Sequence, residues 1–130
     1  MNTSVENEVM TTQDVAGKLV QLCRQGKNMD AINELYADHV ISIEPKGSHA
    51  ERTEGKAAVI GKNQQWFDMV EQVHSSEISE PVVTGNHFAV AMDMDVTLKG
   101  KGRSPMNEVC VYEVKDGKIV SDNFFYTINK

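Results

Sequence analysis

Two glutamates occupy positions in predicted β-strands where a carboxylate is costly. Glu44 ends the strand in DHVISIEPKG (residues 38–47) and shares a face with Val40 and Ser42. Glu108 alternates with apolar residues along a later strand. A carboxylate removed from water must be paired, protonated or used in chemistry. If both faces meet helices, the two glutamates point into one apolar cavity, where burial and mutual repulsion raise a pKa and favour general acid–base catalysis.

Strand and helix periodicity also predicts the other side chains of this cavity. Apolar and aromatic residues recur at inward positions of the strands and on one face of a helix. The predicted lining residues are Trp66, His74, Met92, Met94, Cys110, Tyr112, Phe124 and Tyr126. A lining of this kind favours a small apolar or amphipathic ligand.

Other interpretations of the polar residues stay open. Each glutamate could instead be satisfied by a lysine, a backbone N–H group or water near the cavity mouth. Lys62 lies one helical turn before Trp66, so it could pair with a glutamate, although a position in solvent is favoured. His74 could donate to a carboxylate or act as a base, although a structural role is commoner at a helix–strand junction.

Several classes of site have no signature in this sequence. It contains no HxxxH or CxxC spacing and no GxGxxG, P-loop or GxSxG motif, which disfavours zinc, nucleotide cofactors and serine hydrolysis. Asp93 and Asp95 could be a metal pair but are better explained as a solvated strand edge. Cys23 and Cys110 are expected to be buried, reduced thiols. We therefore expect no cofactor and no metal.

The composition is that of a globular protein. The chain has 130 residues, and we expect residues 1–130 to form one domain, with 1–11 as a frayed terminus. A net charge of −6 disfavours nucleic acid and anionic membranes as partners. No apolar run approaches the roughly 18 residues of a membrane span, and no secretory signal opens the sequence. A cytoplasmic location is the expectation.

Hydrophobic periodicity orders the elements that must position these residues. Three helices are predicted, from Thr11 or Thr12 to Gly26, from Asn28 onward, and over about 56–73. A period of two then predicts four strands, at 74–83, 88–98, 107–114 and 119–128, with the strongest hairpin signal at Asp116-Gly117. Helices followed by strands predict an α+β fold, with the helices packed on one face of a curved antiparallel sheet.

The outward face of the predicted sheet is unusually apolar. Its residues include Ala89, Ala91, Val109, Val111 and Phe125 among polar neighbours. Such a surface is too apolar for plain contact with water. We therefore expect a homodimer that forms through the outer sheet face.

Three stretches of the sequence resemble a known family. LYADHVISIEP, EGKAAVIGKNQQW and NEVCVYEVKDGKIVSDNFFY are similar to the SnoaL-like branch of the nuclear transport factor 2-like superfamily. The resemblance covers about residues 12–128. It implies a cystatin-like, cone-shaped α+β domain with three helices on the concave face of the sheet, in a branch that includes polyketide cyclases and ketosteroid isomerases.

The resemblance also implies roles for particular residues. Glu44, directly before Pro45, matches the general-base aspartate of the isomerases, and Glu108 lies near their protonated oxyanion-hole aspartate. Leu19 stands where the isomerases place a tyrosine. Arg24, Arg52 and Arg103 do not match the arginine that epoxide hydrolases of this fold require.

Two functions follow as hypotheses. In the first, the protein is an isomerase or cyclase in which Glu44 takes a proton from carbon next to a carbonyl and Glu108 donates to the enolate. In the second, it is a homodimeric module that binds a small ligand without chemistry, and Glu108 and Lys62 are a structural pair.

Overall fold

The computed structural model describes residues 10–128, which form three helices and seven strands. The helices are α1 (Thr12–Arg24), α2 (Asn28–Leu35) and α3 (Lys56–Met69). The strands are β1 (Tyr36–Ile43), β2 (Arg52–Glu54), β3 (Val70–Ile78), β4 (Val82–Thr84), β5 (His87–Leu98), β6 (Gly102–Lys115) and β7 (Lys118–Phe125). Most of the predicted frayed terminus, residues 1–11, lies outside the described residues.

The strands form one mostly antiparallel, curved sheet. Their order is β2-β1-β7-β6-β5-β3, and β4 pairs with β5 beside β3. From β3 to β7 the sheet is the predicted antiparallel meander. The exception is β1, which pairs with β7 in parallel and brings residues 41–43 beside residues 121–123.

The helices cover the concave face of this sheet, as the α+β prediction required. Thr11 and Asp14 form a capping box at the start of α1, which satisfies backbone N–H groups that a helix leaves free. The buried side of α1, including Val15 and Leu19, packs toward β5 and β6. Helix α3 packs instead on β1 and β2.

The predicted end of the third helix is wrong by four residues. The helix ends at Met69, and residues 70–73, assigned to it from their spacing, begin β3. Val70 is paired with Leu98, and Val73 with Val96, on β5. β-Branched valines favour an extended backbone when a neighbouring strand is available, and the helical pattern cannot reveal that neighbour.

Other strand boundaries also differ from the predictions. Residues 52–54, where no strand was predicted, form β2, which pairs antiparallel with the end of β1. The single strand predicted at 74–83 is two strands, because residues 79–81 interrupt it and Pro81 has no N–H group to donate. β6 begins earlier than predicted, at Gly102, and β7 ends earlier, at Phe125.

The Asp116-Gly117 hairpin prediction is confirmed. Both residues have positive φ, 52° and 76°, as a two-residue type I′ turn requires, and Lys115 pairs with Lys118 across it.

None of the helices within residues 10–128 is long and apolar enough to cross a bilayer.

Candidate functional site

The inward face of the sheet changes character along its strands. Toward one end it is closed by α1 and α2, and residues such as Phe88 and Val90 are fully buried. Further along the strands several inward side chains are half-buried, including those of Glu44, Met92 and Glu108, although Val96 on β5 is fully buried again. This half-open part of the face is called the mouth below.

Glu44 lies just beyond β1, and its carboxylate is bound on both oxygens. Lys62 Nζ is 2.8 Å from Oε2, and the Tyr126 hydroxyl donates to Oε1 at 2.6 Å. The Glu44 backbone N–H donates to the carbonyl of Glu51 at 2.9 Å, which holds the end of the strand. The Lys62 and Glu44 side chains are 17% and 19% exposed, so this ion pair is largely shielded from water.

Helix α3 supplies the lysine of this pair. Val59 is buried against the core one turn earlier, and residues three apart share a helix face, so the same face directs Lys62 toward β1. The ammonium also donates to Ser42 Oγ at 2.8 Å and lies 5.6 Å from the centre of the Phe124 ring. The interpretation of Lys62 as a solvent-exposed residue is therefore wrong, because three interactions replace the water it loses.

Glu108 is the carboxyl whose protonation is most altered at the mouth. Burial, and then the nearby charges of Glu44 and Asp122, raise its pKa to about 7 against the opposing effect of Lys62. Its cross-strand neighbour is Met92 on β5, an apolar side chain that offers the carboxylate no compensation. Both the protonated and the ionised form of this group are therefore populated near neutral pH.

Asp122 is a third inward carboxyl, which the sequence analysis did not select. It is 1% exposed, and it is paired across the β1–β7 ladder with Ser42, which is 0% exposed. The buried Tyr36 hydroxyl donates to Asp122 Oδ2. Burial raises the pKa of Asp122, while hydrogen bonds from Ser42 and Tyr36 oppose the rise. Asp122 lies two and four residues before Phe124 and Tyr126, so strand parity places it on their face and the signal was present in the sequence.

Two of the predicted lining residues lie in the closed core. Cys110 and Tyr112 are both buried in the main hydrophobic cluster, and the Tyr112 ring stacks on Phe88 at 4.6 Å between centres. Burial raises the pKa of the Cys110 thiol, and burial raises that of Cys23 to about 11. Both thiols are therefore protonated at neutral pH.

Four of the remaining predicted residues lie in separate local surroundings. Met92 and Met94 line a cavity of about 360 Å³ between the end of α1 and strands β3 and β5. Trp66 is half-buried on α3 and packs edge-on against Phe67. His74 Nε2 lies 2.7 Å from Thr97 Oγ1, a contact with a hydroxyl rather than with a carboxylate.

The outward aspartates of β5 make cross-strand contacts. Asp93 accepts from Asn107 at 2.6 Å, and Asp95 is 2.9 Å from Arg103. The hydrogen bond from Arg103 lowers the pKa of Asp95. Within residues 10–128, no group of three or more histidine, cysteine, aspartate or glutamate side chains is arranged to hold a metal ion.

The mouth therefore combines an ion-paired carboxylate with a carboxyl that exchanges its proton near neutral pH. Burial, followed by the hydrogen bond to Glu44, raises the pKa of Tyr126, so its hydroxyl remains a donor. A site of this composition can accept a proton at one position and donate one at another.

Comparison with known proteins identifies what the chain is similar to. A family model for the SnoaL-like domain matches residues 10–126. A crystal structure from Mesorhizobium loti, described as a candidate SnoaL-like polyketide cyclase, is 35% identical with a TM-score of 0.82, over 90% of this chain and 100% of that chain. The resemblance expected from the sequence is confirmed.

More distant structures share the fold alone. A protein of Catenulispora acidiphila with a ketosteroid isomerase-like fold, solved in complex with trimethylamine, is 18% identical with a TM-score of 0.70, over 91% of this chain and 88% of that one. A candidate isomerase from Bacillus subtilis is 21% identical with a TM-score of 0.70, over 91% and 90%. Among curated proteins, none matches this sequence significantly.

Proposed function

The chain belongs to the SnoaL-like domain family, and from that premise we propose that it is an acid–base isomerase or cyclase acting on an enolisable carbonyl compound. One observation carries the proposal. Glu44 is ion-paired with Lys62 in the same mouth where the pKa of Glu108 is raised to about 7. Two carboxyls whose surroundings separate their protonation states are the usual basis of an acid–base pair.

The proposed chemistry assigns one step to each glutamate. Glu44 removes a proton from the carbon next to the carbonyl, using a lone pair that its contacts with Lys62 and Tyr126 leave free. The electron pair of the broken C–H bond moves onto the carbonyl oxygen, and protonated Glu108 donates to the enolate that forms. An isomerase then returns the proton to a different carbon, whereas a cyclase lets the enolate carbon attack a second carbonyl of the same molecule.

The proposed substrate is a small apolar or amphipathic molecule. The cavity beside Met92 and Met94 has a volume of about 360 Å³, near the lower limit of ~300 Å³ for small-molecule sites. Met92 is the cross-strand neighbour of Glu108, although neither Glu44 nor Glu108 is among the residues that line the cavity itself. Half-buried Trp66 and Phe124 add apolar surface at the mouth.

We also propose a homodimer that forms through the outer sheet face. Val109 and Phe125 are directly paired on adjacent strands and are 46% and 57% exposed. Together they present an apolar patch that a second copy of the sheet could cover. Sedimentation at micromolar concentration is expected to show a dimer, and Phe125→Lys is expected to give a monomer. A wild-type monomer would remove this part of the proposal.

A cytoplasmic location completes the proposal. Cys23 and Cys110 are both free thiols in the described structure, and free thiols are typical of a reducing compartment. Fractionation of cells that express the full chain tests the location directly.

Hydrogen–deuterium exchange on carbon tests the proposed reaction without knowledge of the substrate. A panel of cyclic and linear ketones is incubated with the protein in D₂O, and deuterium next to the carbonyl is measured by NMR. We expect exchange in at least one ketone, and we expect Glu44→Gln to abolish it, since general-base catalysis contributes typically ~10²–10⁴-fold.

Glu113→Gln is the matched control because Glu113 lies on the same strand as Glu108 but faces away from the mouth. It is expected to leave the exchange rate unchanged. Exchange that persists in Glu44→Gln would exclude Glu44 as the base. A ligand that binds at the mouth without carbon exchange in any ketone would leave a non-catalytic binding module.

A further inference from the structure

The ion pair of the mouth is connected to a buried polar chain that the proposed reaction does not use. Lys62 donates to Ser42 Oγ at 2.8 Å as well as contacting Glu44 at 2.8 Å. Ser42 is paired with Asp122 across the β1–β7 ladder, and the Tyr36 hydroxyl donates to Asp122 Oδ2. Tyr36, Asp122 and Ser42 are all buried.

The donor and acceptor capacities of these residues determine the direction of the hydrogen bonds between them. A serine hydroxyl has a single hydrogen, and its oxygen here accepts from Lys62. The hydroxyl hydrogen is therefore free to point at Asp122; burial raises the pKa of Asp122, and a hydrogen bond from Ser42 is among the causes that lower it. Asp122 Oδ1 itself is buried and has no partner within hydrogen-bond distance among the described residues, Ser42 included. A buried carboxyl oxygen left without a donor is costly, and the Ser42 hydroxyl is the polar group paired beside it.

We propose that Tyr36, Asp122 and Ser42 are positioning residues that hold the Lys62 ammonium on Glu44. Tyr36 orients the Asp122 carboxylate, Asp122 accepts the Ser42 hydroxyl hydrogen, and the Ser42 oxygen is thereby turned toward Lys62. None of the three contacts a substrate in this arrangement. They act on the reaction through Lys62, which fixes the side chain of the proposed base.

The charges around Lys62 explain why such a relay is needed. Glu44 faces it from the end of β1, Asp122 from β7 and Glu108 from β6. A single flexible ammonium among three carboxyls can settle between any two of them, because Coulombic attraction is not directional. The fixed Ser42 oxygen selects the position beside Glu44, which leaves Glu108 free to keep its proton.

This inference depends on the proposed function for its purpose, but its test requires no substrate. The measured quantity is the exchange rate of the Lys62 ammonium hydrogens with water, by ¹⁵N NMR near neutral pH. In the wild type, Lys62 is expected to exchange far more slowly than Lys118, which is exposed and donates to the Glu34 carbonyl at 2.7 Å. Tyr36→Phe removes a hydroxyl that does not contact Lys62, and we expect it to accelerate Lys62 exchange about fivefold, the factor equivalent to one lost hydrogen bond.

Three further variants complete the design. Ser42→Ala is expected to accelerate Lys62 exchange at least as much, and Ser42→Thr, which retains the hydroxyl, to restore it. Tyr112→Phe is the matched control, since it removes another buried tyrosine hydroxyl from the same core without touching Asp122 Oδ2. If Ser42→Ala fails to fold, Tyr36→Phe alone decides the question.

The outcomes separate a relay from ordinary structural packing. Acceleration in Tyr36→Phe but not in Tyr112→Phe supports the relay. Unchanged Lys62 exchange in a folded Tyr36→Phe protein overturns it, as does a wild-type Lys62 that exchanges as fast as Lys118. A relay confirmed in this way, together with no carbon exchange in any ketone, would refute the proposed function while leaving the positioning inference intact.

Discussion

The same strands, β5 and β6, contribute to both ends of the sheet's inward face, but one end is a closed apolar core and the other is the half-open mouth. On β6, Tyr112 and Cys110 are buried in the closed core, whereas Glu108, two residues before Cys110, is a half-buried acid at the mouth. On β5, Phe88 and Val90 give way in the same manner to Met92 and Met94. The strand geometry continues unchanged across this boundary; the residue types and the covering helices change.

The energetic basis of the two ends differs accordingly. In the closed core, apolar burial stabilises the fold at roughly 25 cal/mol per Å², and little depends on charge. At the mouth, three carboxyls and one ammonium are largely withdrawn from water, and such groups rarely repay their loss of hydration. Apolar burial in the closed core therefore accounts for the stability of the fold. The shielded charges of the mouth are not explained by stability, and our proposal is that they serve acid–base chemistry.

The largest expected effect on stability comes from truncating one phenylalanine in the closed core, and we compare it with truncating one at the mouth. Phe88→Ala removes a ring that is 1% exposed and stacked on Tyr112, and it is expected to lower the free energy of unfolding by about 3–5 kcal/mol. Phe124→Ala removes a half-buried ring at the mouth and is expected to cost roughly 1–2 kcal/mol. Urea denaturation measures both, and equal costs would break the distinction between core and mouth.

The second largest expected effect is a gain in stability when the acidic side chain of Glu108 is replaced by a neutral amide. In the folded protein the pKa of Glu108 is about 7 rather than 4.5, so its contribution to stability is complete below about pH 4.5 and is lost as the pH rises through 7. Glu108→Gln, which resembles the protonated acid, should therefore raise the free energy of unfolding above pH 7 by ~2–3 kcal/mol at most, and change it little at pH 4.5.

Thermal unfolding of the wild type and Glu108→Gln across this pH range measures the difference. Glu113→Gln, on the opposite face of the same strand, serves as the control and should show no such pH dependence. A stability gain that is constant with pH would mean that Glu108 does not titrate in this window.

A smaller effect is expected from removing the only ammonium that the described structure brings to the three carboxyls. Lys62→Met leaves Glu44 and Ser42 without that donor and is expected to cost about 1–2 kcal/mol at neutral pH. Because Lys62 lowers the pKa of Glu108, its loss should move that pKa above the wild-type value of about 7. Carboxyl-carbon NMR titration detects the change, and Lys118→Met provides an exposed control.

The smallest expected effect on stability comes from a substitution in helix α1, which packs on the closed core. Thr11→Ala removes the capping box at the start of α1 and is expected to cost ~1 kcal/mol. Because α1 packs on the core, the titration of Glu108 should remain at its wild-type position. A change in that titration would show that the two ends of the face are coupled rather than separate.

Local patterns predicted the parts of the molecule that local physics determines. The change from helical to alternating periodicity, the Asp116-Gly117 turn and the inward parity of Glu44 all follow from neighbouring residues, and the α+β fold follows from them. The fold prediction was confirmed for this reason. The catalytic roles of Glu44 and Glu108 remain predictions.

The partners of the site residues could not be predicted in the same way. Lys62 meets Glu44 because α3 packs on β1, and Ser42 meets Asp122 because β1 pairs in parallel with β7. Neither arrangement has a signal in the sequence near these residues. The end of α3 was misplaced for a related reason, since the strand that pairs with Val70 and Val73 lies more than twenty residues further along the chain.

The parallel pairing of β1 with β7 has a consequence for the order of events during synthesis. The hydrogen bonds from Tyr36 to Asp122 and from Tyr126 to Glu44 join residues 86 and 82 positions apart. Contacts of such separation close late, because the chain between them must first be ordered. On the ribosome, helices α1 to α3 and the first hairpins can assemble while β7 is still absent. The proposed acid–base pair acquires its partners only after residues 118–126 have been made and docked. Because Ile119 of the same segment is part of the hydrophobic core and β7 joins β1 to β6, the core and the mouth are completed in the same late step.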